Sequence, residues 1–307
     1  MSHSVLLTLV CCVAMAGFGL VMGCGPGGAG GGGRTGDRHD NANQNDNGTD
    51  DNANENGGGI DGPTNAIIAD HTAANEFDSI PDEFITAARA AYRIFYGHTS
   101  HGSQIITGME MAADEDNRLA FNAGPDSLRM EENDTVDLGY AGDLDWVVTT
   151  RDVLGRPDGD INLVMWSWCG AVSDSTEEGI DAYLEAMDQL ETDYPDVVFV
   201  YMTGHLDGTG SSGNLYLRNN QIRDYCTAND KVLFDFADIE SYDPEGNYYP
   251  DGTDYCDWCV DWCAEHTCPT SCDDEAEQCA HSRCFNCYRK ARAFWWMMAR
   301  IAGWNGP

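Results

Sequence analysis

The sequence predicts an α/β domain in which a parallel sheet is covered by helices on both faces. Continuous apolar runs are the first observation: Arg93-Ile-Phe-Tyr-Gly97, Ile161-Asn-Leu-Val-Met-Trp166, Val197-Val-Phe-Val-Tyr-Met-Thr203 and Val232-Leu-Phe-Asp-Phe-Ala237 lack the polar alternation of a strand with one wet face. The second is that amphipathic helical segments separate these runs, the alternation that builds three-layer α/β folds. In chain order, Ser79-Ile80-Pro81 starts a helix that carries Phe84, Ala88, Ala91 and Tyr92 on one face. Ser175 with Glu178 reads as a capping box opening a helix with Ile180, Tyr183, Leu184, Met187 and Leu190. Asn214 to Tyr225 and Arg289 to Ala302 are expected helices, the latter packing Ala291, Phe294, Trp295, Met298 and Ile301 on the sheet.

Three segments organise the chain: 1–24, 25–63 and 64–307. The first contains no Lys, Arg, Asp or Glu and is apolar almost throughout from Val5 to Met22, which implies export. It ends Leu20-Val21-Met22-Gly23-Cys24, which resembles the lipobox of bacterial lipoproteins; the resemblance implies cleavage before Cys24 and lipidation of its thiol. An uncleaved membrane helix is the alternative, against which Gly17, Gly19, Gly23 and the Cys-Gly-Pro exit argue. Residues 25–63 are Gly-, Asn- and Asp-rich with Ile60 as their one large apolar side chain, the composition of a disordered tether. The expected location is the cell envelope, lipid-anchored at the outer membrane or cell surface.

Charge narrows the partners. The chain has 52 acidic and 16 basic side chains, net −36, and the tether holds only seven acids and two bases. Such a field repels phosphate backbones, and no basic stripe exists to release counterions, so nucleic acid is excluded as a partner. Ten of the 13 cysteines lie beyond the export segment: Cys169, Cys226, Cys256, Cys259, Cys263, Cys268, Cys272, Cys279, Cys284 and Cys287. Eight of these fall between 256 and 287, within a Cys-rich insertion at about 250–288. In an exported chain this density implies disulfides among all ten. A zinc ribbon built on Cys256-x-x-Cys259 and Cys284-x-x-Cys287 is the competing reading.

Ligand crevices in parallel sheets lie beyond the carboxyl ends of the strands. The polar tips Gly97-His-Thr-Ser-His-Gly-Ser103, Ser167 to Gly170 and Thr203-Gly-His-Leu-Asp207 occur there, with Cys279-Ala-His281-Ser282 just before the last helix. In block order these resemble the SGNH hydrolase (GDSL-like esterase) superfamily, over most of residues 92–304. The resemblance implies a flavodoxin-like sheet, no cofactor, and hydrolysis of an acylated carbohydrate or small ester. By position Ser100 would be the nucleophile, with Thr99 and Ser103 as substitutes, and His281 the base. Glu277 or Asp274 would orient that base, Gly170 would hold the oxyanion with His205 or Asn214 as the second donor, and His98 would lie beside them. The family's acidic residue is absent from the first block, its Asn is replaced by Leu206 in Gly204-His205-Leu206-Asp207, and its last-block Asp is Gln278. Trp166, Trp168, Tyr140 and Trp146 are expected either to line the crevice or to pack as core.

Two further readings stay open on the residues. One makes His98, His101, His205, Asp207 and His281 metal ligands, since imidazoles with a carboxylate suit zinc. The other is an inactive binding module of the same fold. The Asp243–Asp254 loop is read as a solvated acidic loop rather than a calcium site.

Overall fold

The computed structural model describes residues 65–140, 142–270 and 279–307. The export segment with Cys24, the tether, Cys272, Asp274 and Glu277 lie outside the described residues. In chain order the elements are β1 (Ile67–Ala69), α1 (His71–Glu76), α2 (Asp82–Ala91), β2 (Arg93–Gly97), α3 (Ser103–Glu115), β3 (Arg129–Asn133), α4 (Asp145–Leu154), β4 (Leu163–Trp166), α5 (Glu177–Asp193), β5 (Val198–Met202), α6 (Asn214–Ala228), β6 (Val232–Phe234), α7 (Phe236–Ser241), α8 (Asp257–Glu265) and α9 (Cys284–Ile301). The strands form one sheet in the order β1-β6-β5-β4-β2-β3, with every pairing parallel. Helices α1, α2, α3, α7 and α9 pack together, and α5 packs with α6. Trp146 of α4 meets both Trp166 of β4 and Tyr183 of α5. The three-layer α/β expectation is what the structure shows.

The apolar runs became β2, β4, β5 and β6 because both sheet faces are covered; Ile94, Phe95, Tyr96, Val164, Phe199 and Leu233 are all buried. Burying each such large side chain contributes about 1.5–3 kcal/mol. The run at 232–237 splits, however. Asp235 leaves the strand and caps α7 by accepting from the Asp238 N–H. The expected capping box at Ser175 is also corrected. Thr176 caps α5 by accepting from the Gly179 N–H at 3.1 Å, while the Ser175 hydroxyl donates back to the Ala171 carbonyl.

Helix α9 begins five residues earlier than its apolar spacing predicts, at Cys284, and the added residues Cys284, Phe285, Asn286, Cys287 and Tyr288 are all buried. The charged residue buried deepest in this helix is Lys290. Its ammonium is fully buried, donates to Gln104 Oε1, and lies 2.7 Å from Glu240 Oε1, which is equally buried. Burial pulls the Lys290 pKa down while Glu240 pulls the other way.

Among the described residues, three disulfides staple the insertion and the start of α9: Cys256–Cys259, Cys263–Cys268 and Cys279–Cys287. They close loops of a few residues, so they restrict local geometry more than the reach of the unfolded chain. With Cys256 joined to Cys259 and Cys279 to Cys287, the zinc-ribbon set is not available. Two expected disulfide cysteines are corrected outright, since Cys169 and Cys226 form none. Cys226 sits against the sheet as a small apolar residue, and burial pushes its thiol pKa well up. Cys284 is buried beside Cys279 and Cys287.

The buried pair sets a stability expectation. Glu240→Ala strands the Lys290 charge and is expected to cost about 3–5 kcal/mol in urea denaturation, with the Lys290→Met/Glu240→Leu double variant recovering part of that loss. A single variant within 1 kcal/mol of wild type would mean that the pair contributes little.

Candidate thiolate-imidazolium site

The chain runs from β2 to edge strand β3 on one side and then returns to β4 on the other, so the sheet's direction of winding reverses between β2 and β4. A crevice opens at such a reversal, beyond the carboxyl ends of the two strands. The loops leaving β2 and β4 meet there.

Close backbone approach is built into both loops. A Cβ at Gly97 would lie 2.1 Å from the Trp166 ring, and one at Gly102 would lie 2.2 Å from Ser167 Oγ, so neither position admits a side chain. The Tyr96 hydroxyl donates to the Gly102 carbonyl at 2.9 Å, and Ser167 N–H donates to the Gly97 carbonyl. Past Trp168, whose indole N–H donates to the Met202 carbonyl, the chain reaches Cys169. Gly170 then has φ +80° and Ala171 φ +63°, with Val172 N–H bonding to the Gly170 carbonyl at 2.7 Å. That γ-turn places a non-glycine residue in a strained region, a kind of strain that collects at functional sites.

The result is a relay of three side chains. Cys169 Sγ lies 3.2 Å from His101 Nδ1, and His101 Nε2 lies 2.9 Å from Asp254 Oδ2. Ser100 Oγ is 3.1 Å from the same sulfur. His101 is buried and Cys169 half-buried. The ring of His101 is sandwiched: His205 stacks on it at 3.7 Å between centroids and 4° between planes, and His281 at 4.3 Å and 11°. His205 Nδ1 is 3.9 Å from Asp254 and 2.8 Å from the Leu206 carbonyl.

These neighbours set the charges. The His101 ring, joined by the Ser100 hydroxyl and the His101 backbone N–H, outweighs burial and lowers the Cys169 pKa to about 5. For His101, burial alone would lower the pKa, but Asp254 and the Cys169 sulfur raise it to about 9. Burial would raise Asp254, yet the His101 hydrogen bond and the three surrounding rings hold it below the usual carboxylate value. Between about pH 5 and pH 9 the pair is therefore thiolate and imidazolium, titrating as a unit.

Asp254 reaches the site through its own loop. Asp207 and Thr253 form an antiparallel bridge, Gly208 N–H donates to the Gly252 carbonyl, and Asp254 N–H donates to the Leu206 carbonyl. Below this junction the Lys290 network holds two ring-bearing loops. Glu240 Oε2 accepts from the Leu206 N–H, fixing the residue after His205, and Gln104 Nε2 donates to the Ala280 carbonyl, fixing the residue before His281.

Several expected site residues land elsewhere. His98 is buried, with Nε2 3.3 Å from Glu132 and Nδ1 3.2 Å from the Thr99 carbonyl, so it braces the loop rather than facing the sulfur. Asn214 donates to the Ser173 and Ser175 carbonyls and is not free to serve an oxyanion. Asp207 caps its own turn by accepting from Thr209. Trp146, Trp166 and Trp168 are core, while Tyr140 is 72% exposed. Thr99 donates to Asp137, and the Ser103 hydroxyl donates to the Ser100 carbonyl. Ser100 Oγ touches the Cys169 sulfur, Gly170 follows Cys169 in the chain, and His205 and His281 cover the ring of His101. Sequence reasoning missed Cys169 as a functional thiol and Asp254 as its distant acid. The available signal for Cys169 was isolation, since it stands far from the cysteine cluster at the end of a buried strand and before a glycine.

No protein-family model matches the chain, and no curated protein matches it significantly.

The titration is directly measurable. Iodoacetamide should alkylate Cys169 at a rate that is flat from about pH 6 to 8 and falls with a midpoint of about 5, whereas an ordinary thiol gains reactivity through about pH 8.5. His101→Ala should move that midpoint up by more than two pH units. A wild-type profile that rises through pH 8.5 would show that no thiolate is stabilised.

Proposed function

We propose that this chain is a thiol-dependent acyl hydrolase of the cell envelope, with Cys169 as nucleophile, His101 as acid and base, and Asp254 as the group that orients His101. The contact between Cys169 Sγ and His101 Nδ1, with Asp254 on the opposite ring nitrogen, carries the reading. Nucleophile, base and orienting acid in hydrogen-bond sequence is the arrangement shared by unrelated acyl-transfer enzymes. The order of the blocks resembles the SGNH hydrolases, but the reactive group moves from the serine after β2 to the cysteine after β4.

The chemistry runs in two halves. The Cys169 thiolate attacks the acyl carbon of an ester and forms an S–C bond, and the carbonyl oxygen takes the negative charge beside the Ser100 hydroxyl and the Gly170 N–H. His101 gives its Nδ1 proton to the leaving alcohol as the C–O bond breaks, leaving a thioester on Cys169. Water then attacks that thioester, His101 Nδ1 takes its proton, and the acid departs as the thiolate reforms. Ser100 thus serves as a donor rather than a nucleophile, because its hydroxyl pairs with the Cys169 sulfur rather than with an imidazole that could take its proton. An acylated carbohydrate or other neutral ester fits a chain of net charge −36 better than an anionic one does. A lipid at Cys24 and the tether would hold the domain at the membrane surface.

A metal-binding reading has one observation in its favour: ligand atoms of His101, Asp254 and His281 lie within 4.8 Å of one another. His101 would then turn Nε2 to the ion, and Asp254 would replace Asp207 as the carboxylate ligand.

Hydrolysis of acetylated sugars and 4-nitrophenyl acetate separates the readings. Cys169→Ala should lower kcat/KM by on the order of 10³-fold or more, and Ser100→Ala by about 10²–10³-fold with Cys169 alkylation retained. The wild-type rate should be bell-shaped in pH, with limbs near 5 and 9, and indifferent to chelators. Full activity in Cys169→Ala with loss in Ser100→Ala would return the nucleophile to the serine. Bound zinc with chelator-sensitive activity would favour the metal site, and no turnover by wild type would leave a binding module.

A further inference from the structure

Away from the relay, a cavity of about 590 Å³ lies between the first half of α9, the end of α8 and α1. It is lined by Arg289, Arg292, His266, Trp262, Phe285 and Tyr288 among others, and no Asp or Glu is among its described lining residues. In a chain with 52 acids against 16 bases, the described lining gathers two arginines and a histidine with no carboxylate of its own, while Asp78 and Glu245 reach Arg292 and His266 from outside it.

Arg289 makes the cavity specific. The residue is 3% exposed, and its Nη1 donates to Asn75 Oδ1 at 3.0 Å, but Nε and Nη2 have no hydrogen-bond partner. Those two N–H groups point from the same edge of the guanidinium, the edge that matches two oxygens of a carboxylate or sulfate. A buried cation without a counter-charge is costly, and burial together with Arg292 lowers the Arg289 pKa to about 10, with Asp243 and Asp238 opposing. Asp243 spends its oxygens on Glu245, Asn247 and Tyr249 of its own loop, and Asp238 is held by His71. Arg292, by contrast, is already satisfied by Asp78 and the Ala74 carbonyl. The group left wanting an anion is therefore Arg289, and the walls beside it are aromatic: Trp262, Phe285 and Tyr288.

We propose that this cavity binds an oxyanion carried on a ring, a carboxylate or sulfate group on a sugar or aromatic body, with the Arg289 side chain turning its unpaired Nε–Nη2 edge, now closed to solvent, onto two of its oxygens and the aromatic residues holding the ring. Its volume suits one small molecule. None of its lining residues belongs to the Cys169 relay, so the proposal stands or falls apart from the hydrolase reading.

Isothermal titration of the full chain with glucuronate, benzoate and inorganic sulfate, against neutral glucose and benzamide, tests it. Glucuronate or benzoate should bind and the neutral analogues should not. Arg289→Met should weaken that binding about 10-fold or more. Ligand-free Arg289→Met should melt no lower than wild type, because an uncompensated buried charge has been removed. Arg289→Lys, which keeps the charge without the two-donor edge, should also bind more weakly, and it reads the same point if the methionine variant does not fold. Absence of binding by any ring-borne anion, equal binding of neutral analogues, or affinities unchanged in both Arg289 variants would overturn the proposal.

Discussion

Lys290 has no route to water, and the charge on its ammonium is met by Glu240 and by the side-chain oxygen of Gln104. Each of these partners spends its remaining polar atom on a loop that carries a histidine. Glu240 takes the N–H after His205, and Gln104 gives its N–H to the carbonyl before His281. The indole of Trp258 in α8 donates to the Glu240 carbonyl, which ties the disulfide-stapled insertion to the same point. A buried charge tolerates little displacement of its partners, since losing one exposes it to the full cost of desolvation. The network therefore converts the requirement to neutralise one lysine into a fixed spacing between the loops around His101.

That spacing explains the electrostatics of the site. Among the described residues Asp254 is the one carboxylate hydrogen-bonded to the His101 ring, and His205 and His281 cover the ring's two faces. Shielded from water on both sides, the imidazolium has Asp254 on one nitrogen and the sulfur on the other. In such surroundings a thiol ionises far more readily than a hydroxyl, because its ordinary pKa is already near 8.5. The same environment that makes Cys169 a thiolate leaves Ser100 as a hydrogen-bond donor to it.

Much of the fold was legible before any coordinate. Strands β2, β4, β5 and β6 announced themselves as continuous apolar runs because a sheet covered on both faces needs apolar side chains on both. The edge strands were not legible. β3 reads Arg-Met-Glu-Glu-Asn, since one side of it meets no neighbouring strand and its side chains are largely wet, and β1 is only three residues long. The apolar stripe of helix α9 places its start at Arg289, five residues late, since Cys284 and Cys287 read as part of the cysteine cluster until the Cys279–Cys287 disulfide and its buried surroundings are known. The cysteines mislead for a related reason: density argues for oxidation in the insertion, where three disulfides occur among the described residues, but the same argument fails for Cys169 and Cys226, which form none.

What the chain's linear order determined by itself was the class of fold and the rim on which chemistry would lie, because hydrophobic periodicity is local and strand ends carry their polar tips with them. Which rim residues touch was decided only in three dimensions. His101 and Asp254 are 153 positions apart, and no periodicity links a turn after β2 to an acidic loop beside α8. Their meeting depends on a bridge between Asp207 and Thr253 and on one buried lysine beneath it, and contacts of that kind exist only once the sheet has brought its strands together.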